Sequence, residues 1–268
     1  MASPISHVQL RVADLERSLT FYRDLLGFRI IRDDGRTLHL SPRAPEHLST
    51  GAPEHPSTGA PEHPSTGAPE HLTLREVSGL ARRPRQPRTA GLYHVAWLVP
   101  SRADLGRALL GLSDARYPLT GAADHTVSES LYLDDPDGNG VEIYADRPRE
   151  GWIWANDRVH MTVDPMQVDD VVRAAGKVEG KWAGLPSGTM IGHVHFTVSE
   201  LAPAVAHAQK QLGMDVTFVM PTLVGLAVDR YHHHVNLNTW AGEGAPPDDP
   251  MQAGLDEWTW KGMKGLGN

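Results

Sequence analysis

The sequence predicts an α+β fold built of repeated modules, each a strand, a helix and then further strands, with the last module truncated. Three observations carry that reading. The starts HVQLRVADL from His7, HVAWLVPSR from His94 and HVHFTVSEL from His193 superimpose directly, and self-similarity at module scale is the signature of a repeated architecture. Each start alternates like a strand and runs into helical periodicity. Finally, Asp135-Pro136-Asp137-Gly138-Asn139-Gly140 is a dense turn signal between two alternating runs, Ser130 to Leu133 and Val141 to Tyr144, which makes a β-hairpin.

In chain order, His7 to Val12 predicts a strand and Leu15 to Leu26 a helix, with apolar residues at 15, 19, 22, 25 and 26. Gly27 closes the helix as a C-cap, and strands follow at Phe28 to Ile31 and Thr37 to Leu40. An octapeptide array then begins at Ala44 (APEHLSTG, then APEHPSTG), placing a histidine at 47, 55, 63 and 71. Short copies rich in Pro, Gly, Ser and Thr cannot bury a core, so residues 43–71 read as a disordered loop inserted in a hairpin. Leu72 to Val77 resumes as a strand, Tyr93 to Val99 opens the second module, and a helix from Ala103 to Leu112 leads to the hairpin. Residues 147–190 read as a connecting segment with a helix at Val168 to Ala175. The third module has a strand at His193 to Val198, a helix at Leu201 to Leu212 closed by Gly213, and strands at Met214 to Val219, Leu223 to Val228 and Tyr231 to Trp240. Gly254 to Trp260 looks like the first strand of a fourth module that goes no further.

Composition narrows the function. A chain of 268 residues is long enough for two ordinary domains with a real core. A formal charge of −8 argues against general nucleic-acid binding, and Arg82 to Arg88, broken by two prolines, reads as a linker. Hydrophobic content is 40% and no apolar run approaches membrane-spanning length. The N-terminus has no secretory pattern, and the absence of cysteine removes disulfides, thiolate ligands and cysteine nucleophiles. A cytoplasmic protein fits these features.

The chemistry centres on Glu142. Strand alternation puts it opposite Val141 and Ile143, and a carboxylate on a strand face needs water, a cation or a metal. Histidines recur at the first position of three strands. Two imidazoles and one carboxylate facing a common cavity form a ligand set that suits Fe(II), with Mn(II), Ni(II) and Zn(II) as alternatives. His94 and Glu142 belong to one module, and His193 or His7 supplies the third ligand. His195 lies two residues beyond His193, hence on the same strand face, facing substrate or buttressing a ligand. If Tyr231 to Trp240 is a strand, His232 and His234 share one face and His233 takes the other.

The repeated HV…L…V…DL pattern, GLYHVA, DHTVSESLYLDDPDGNGVEIYADRP, GHVHFTVSEL and YHHHVNLNTWAGEGAPP together resemble the vicinal oxygen chelate superfamily, which holds the glyoxalases, bleomycin resistance proteins and extradiol dioxygenases. Within it they are most similar to the bacterial catechol 2,3-dioxygenase-like proteins. The resemblance implies paired βαβββ modules, each pair curling into a cup. Taken in chain order, that gives a first domain at 4–146 (modules 4–80 and 91–146) and a second, incomplete domain at 191–262. It implies an Fe(II) site at His94, Glu142 and His193, with His7 the alternative third ligand. His234 matches the acid/base histidine, Tyr132 the tyrosine that hydrogen-bonds a substrate hydroxyl, and His125 a histidine near substrate. His233 would support them. The implied function is extradiol cleavage of a small aromatic diol by O2. A glyoxalase-type isomerase, a thiol-transfer resistance enzyme and a metal-free binder of small aromatics share the scaffold. Free strand edges on the incomplete module would favour a homodimer.

Overall fold

The computed structural model describes residues 3–42, 70–86, 88–177, 180–261 and 263–266. The loop expected at 43–71 lies outside the described residues except for Glu70 and His71. The first module comprises β1 (Ile5–Val12), α1 (Leu15–Leu19), β2 (Arg29–Asp33), β3 (Thr37–Ser41) and β4 (Leu72–Glu76). The helix expected over Leu15 to Leu26 is α-helical only in its first part; Thr20–Leu25 continues it in the wider π-helical winding. Asp14 caps it by accepting from the Arg17 N–H. The second module has β5 (Gly91–Leu98), α2 (Arg102–Asp114), β6 (Gly121–Asp124), β7 (Ser128–Asp134) and β8 (Gly140–Asp146). Between modules run the short strands β9 (Trp154–Ala155), β10 (Arg158–Val159) and β11 (Asp164–Pro165) and the helix α3 (Val168–Ala174). The third module has β12 (Met190–Thr197), α4 (Leu201–Leu212), β13 (Asp215–Met220), β14 (Leu223–Ala227) and β15 (Val235–Asn238), and the chain continues through β16 (Gly254–Trp260) and β17 (Met263–Leu266).

β9 and β10 pair only with each other, and the remaining strands form two larger curled sheets. The larger has nine strands in the order β11-β6-β7-β8-β5-β12-β15-β14-β13, and the smaller has six in the order β17-β16-β1-β4-β3-β2. Pairing therefore departs from chain order. Modules two and three share the larger sheet through antiparallel β5 and β12, whereas module one pairs with the C-terminal strands through β1 and β16. The expected units 4–146 and 191–262 thus each contribute to both sheets. β16 returns to pair with the edge of β1 left open by β4, while β5 and β12 take each other.

One apolar core serves both sheets. Val8 and Leu10 of β1, Val95 and Trp97 of β5, Leu237 of β15 and Leu255 of β16 all belong to it. Phe28 meets Trp97 edge-on with ring centroids 4.8 Å apart, tying the first module to the second. Burying a side chain of this size contributes roughly 2–3 kcal/mol. The opposite, polar-bearing faces of the strands are thereby turned away from that core. Among the described residues no helix is long and apolar enough to cross a membrane.

Candidate metal centre

Strand alternation builds the site. In β5, Val95 and Trp97 go to the core and His94 and Ala96 to the other face; in β8, Val141 and Ile143 go to the core and Glu142 and Tyr144 to the other. Register then brings them together: Ala96 lies beside Glu142 in the parallel β5–β8 pair and beside His193 in the antiparallel β5–β12 pair. Ala96 carries only a methyl group, so the larger side chains around it can converge. Gly140, alongside His94, is required for that approach, because a Cβ there would fall on the Tyr93 carbonyl.

His94 Nε2 lies 2.9 Å from Glu142 Oε2 and 3.3 Å from His193 Nε2, and His193 Nε2 lies 3.1 Å from Glu142 Oε2. All three side chains are buried. Adjacent ligands at about 2.1 Å from an ion stand roughly 3 Å apart in octahedral geometry, which is the size of this triangle. Burial opposes charge on Glu142, but His193 and His94 override it and hold the carboxyl well below its ordinary range. Burial also pushes His193 down to about 4, against the pull of Glu142. A charged Glu142 carboxylate beside a neutral His193 is the state in which these two groups can coordinate a cation. The donor set fits a divalent transition-metal ion. Only one face of the ion would be occupied by protein, and the rest would open onto the cavity.

That cavity measures about 590 Å³. Its polar end holds the donor triangle with Tyr132, His125, His195, His233 and Asn236. Its outer walls are largely apolar, including Met161, Val163, Phe218, Met220, Leu223 and Trp240. Tyr132 stands directly opposite Glu142 in the β7–β8 pair, and its hydroxyl is 2.6 Å from His125 Nε2. His125 Nδ1 is 2.9 Å from the Thr162 carbonyl, which can only accept. So Nδ1 carries the hydrogen, Nε2 accepts from Tyr132, and the lone pairs of the Tyr132 oxygen remain for the cavity. His195 Nε2 accepts from the Asn238 amide at 2.8 Å, and its ring packs against Tyr93 and Trp240. Burial pushes both His195 and His233 well below the ordinary histidine range.

Two expected residues lie elsewhere. His234 does not line the cavity; its ring stacks on Tyr231 at 4.6 Å and faces Trp260. Its neighbour His233 lines the cavity instead. Alternation rightly set His233 apart from His232 and His234, and the motif match chose His234. The irregular chain before β15, which begins only at Val235, turns His233 to the cavity. His7 belongs to the smaller sheet, with Nε2 2.8 Å from Thr73 Oγ1. The connecting segment is more than a connector, since Met161, Thr162 and Val163 close one side of the cavity and β11 pairs with β6. Asn236 was also unanticipated. A signal existed, because Asn236 pairs with His195 in the third module as Glu142 pairs with Ala96 in the second.

Paired modules of this topology and a buried two-histidine, one-carboxylate cluster define a glyoxalase-fold protein with a candidate metal centre. The chain belongs to the Glyoxalase/Bleomycin resistance protein/Dioxygenase superfamily, whose model matches residues 4–143. It is 36% identical over 260 residues to catechol-2,3-dioxygenase of Bacillus subtilis (strain 168), covering 95% of this chain and 81% of that protein. It is 32% identical over 99 residues to biphenyl-2,3-diol 1,2-dioxygenase 3 of Rhodococcus globerulus, covering 34% of this chain and 52% of that one. Glyoxalase I from Zea mays shares the fold, with a TM-score of 0.50 at 15% identity over 94% of this chain and 71% of the other.

Proposed function

We propose that this protein is an extradiol dioxygenase, opening the ring of a catechol-like diol with O2 at an Fe(II) centre held by His94, His193 and Glu142. The observation that carries the proposal is the donor triangle at the floor of an apolar cavity, with Tyr132 and His233 beside it. The similarity to catechol-2,3-dioxygenase over nearly the whole chain supports the same reading. Bound there, the ion would supply a cationic centre that acidifies a diol hydroxyl and gathers diol and O2 on adjacent positions.

The chain's own groups do the rest. His233, buried and neutral, takes a proton from one hydroxyl at its cavity-facing nitrogen and returns it later. Tyr132 accepts from the second hydroxyl, because its own hydrogen is committed to His125. Burial keeps the Tyr132 phenol protonated, its pKa well above the ordinary value. Tyr93, Phe218 and Trp240 flank the ring and exclude water from it. The volume exceeds what one ring needs, and Met161, Val163, Met220 and Leu223 suit an apolar substituent on the diol.

Anaerobic loading with Fe(II), followed by addition of a catechol and air, should give about one iron per chain and a yellow ring-opened product. Both should be lost in Glu142→Ala. Stoichiometric iron without ring opening across alkyl- and aryl-substituted catechols would overturn the proposal.

A further inference from the structure

The three consecutive histidines were singled out by the sequence, yet only His233 reaches the cavity. His232 is fully buried behind it, where each ring nitrogen has one defined neighbour. His232 Nε2 lies 2.9 Å from Asp146 Oδ1, and His232 Nδ1 lies 2.8 Å from His233 Nδ1. Asp146 ends β8, on the same strand face as Glu142 and Tyr144. The Tyr231 hydroxyl also donates to Asp146 Oδ1, at 3.1 Å, and lies 2.8 Å from the Tyr144 hydroxyl.

We infer that Asp146 acts through His232 to fix the hydrogen of His233 on Nδ1, leaving Nε2 of His233 as a bare acceptor at the cavity. The inference rests on the proposed reaction only for the use made of that lone pair. A carboxylate accepts and never donates, so the nitrogen of His232 facing Asp146 carries a hydrogen, the only one that a neutral imidazole has. Its other nitrogen, Nδ1, is then a bare acceptor. Two lone pairs do not approach to the distance that separates the two Nδ1 atoms, so the hydrogen between them belongs to His233. A buried imidazole free to take either tautomer would present a lone pair for only part of the time. Here the chain of donors runs one way and ends on a carboxylate, so the acceptor faces the cavity in every molecule. Strand β8 therefore contributes two carboxylates with separate duties: Glu142 toward the metal and Asp146 toward the histidine above it. Asp146 and His232 are positioning residues, since neither lines the cavity.

Nitrogen-15 NMR of the imidazoles in the zinc-loaded protein reads the hydrogen positions directly, without turnover. His233 should show hydrogen on Nδ1 and none on Nε2, and His232 hydrogen on Nε2 alone. Hydrogen on Nε2 of His233, or on both nitrogens of His232, would overturn the inference. In the iron-loaded protein, Asp146→Ala should lower kcat by about tenfold or more with little change in KM, the size of loss typical of an orienting partner. Asp146→Asn retains a carbonyl oxygen to accept from His232 and should recover most of that activity. A KM effect alone, or an Asn variant as impaired as the Ala variant, would count against the assignment. Should the hydrogen pattern hold while no diol is opened, the dioxygenase reading falls and the hydrogen-bond assignment stands.

Discussion

The two sheets carry the same module in different states. In the second module His94 lies on the first strand, and the carboxylate of Glu142 reaches its Nε2 from the last strand. In the first module His7 lies on the first strand, and Thr73 reaches its Nε2 from the last. Register makes the positions equivalent, for Gln9 pairs with Thr73 as Ala96 pairs with Glu142. The neighbouring strand differs too: β12 brings His193 to the larger sheet, whereas β16, with the sequence GLDEWTW, brings no histidine to the smaller one. Among the described residues a three-donor cluster occurs only in the larger sheet. The fold supplies a place where donors can meet, and the donor triangle depends on two residue choices made within it.

Giving the second module the residue of the first is the strongest way to break this comparison. Glu142→Thr should lower Fe(II) affinity by more than about 100-fold, beyond the loss typical of an outer partner, with far-ultraviolet circular dichroism unchanged. Metal retained at one equivalent would show that the carboxylate is not the deciding group. Gly192→Ala tests packing under the same sheet, since a Cβ there would fall on the Tyr144 hydroxyl. It should cost roughly 1–3 kcal/mol in urea unfolding. A neutral outcome would mean that Tyr144 can move without penalty.

The joint between the two regions gives a pH-dependent test. Asp135, in the hairpin turn, accepts from the Tyr22 hydroxyl of the first module and from Asn139. Burial pushes its pKa up to about 6 from an ordinary 3.8, with the Asn139 contacts pulling the other way. The folded state therefore holds a proton that the unfolded chain has released between those values. This contribution is full below about pH 4 and is lost as pH rises through about 6. In Asp135→Asn that decline should vanish from the stability curve; an unchanged slope would assign it to other groups. The smallest effect belongs to His7→Ala, which should leave metal stoichiometry unchanged and shift stability by no more than about 1 kcal/mol. Loss of metal in that variant would place the third ligand on the wrong sheet.

Much of the local structure was legible because it obeys short-range rules. The three His-Val starts fell on β1, β5 and β12, α4 ended at Gly213 in the left-handed conformation, and the Asp135–Gly140 turn joined β7 to β8. Strand pairing was not legible, because alternation says which face a residue takes and nothing about which edge its strand joins. The motif match alone set His234 above His233, and three like residues in a row carry no internal signal that could correct it. Met161, Thr162 and Val163, part of an apolar stretch in the expected connecting segment, were not legible as cavity lining for a related reason. They lie in irregular chain, where no periodicity marks a residue as facing a cavity.

The position of β1 between β16 and β4 has a consequence for how the molecule is made. Every strand of the larger sheet has been synthesised once β15 emerges, so the donor triangle can assemble while the chain is still growing. Its first module must wait, since β1 cannot gain its second partner until Gly254–Trp260 has been added. Closing a loop that spans nearly the whole chain is slow compared with pairing neighbours. The half that carries the donor triangle is therefore ready before the half that stands first in the sequence.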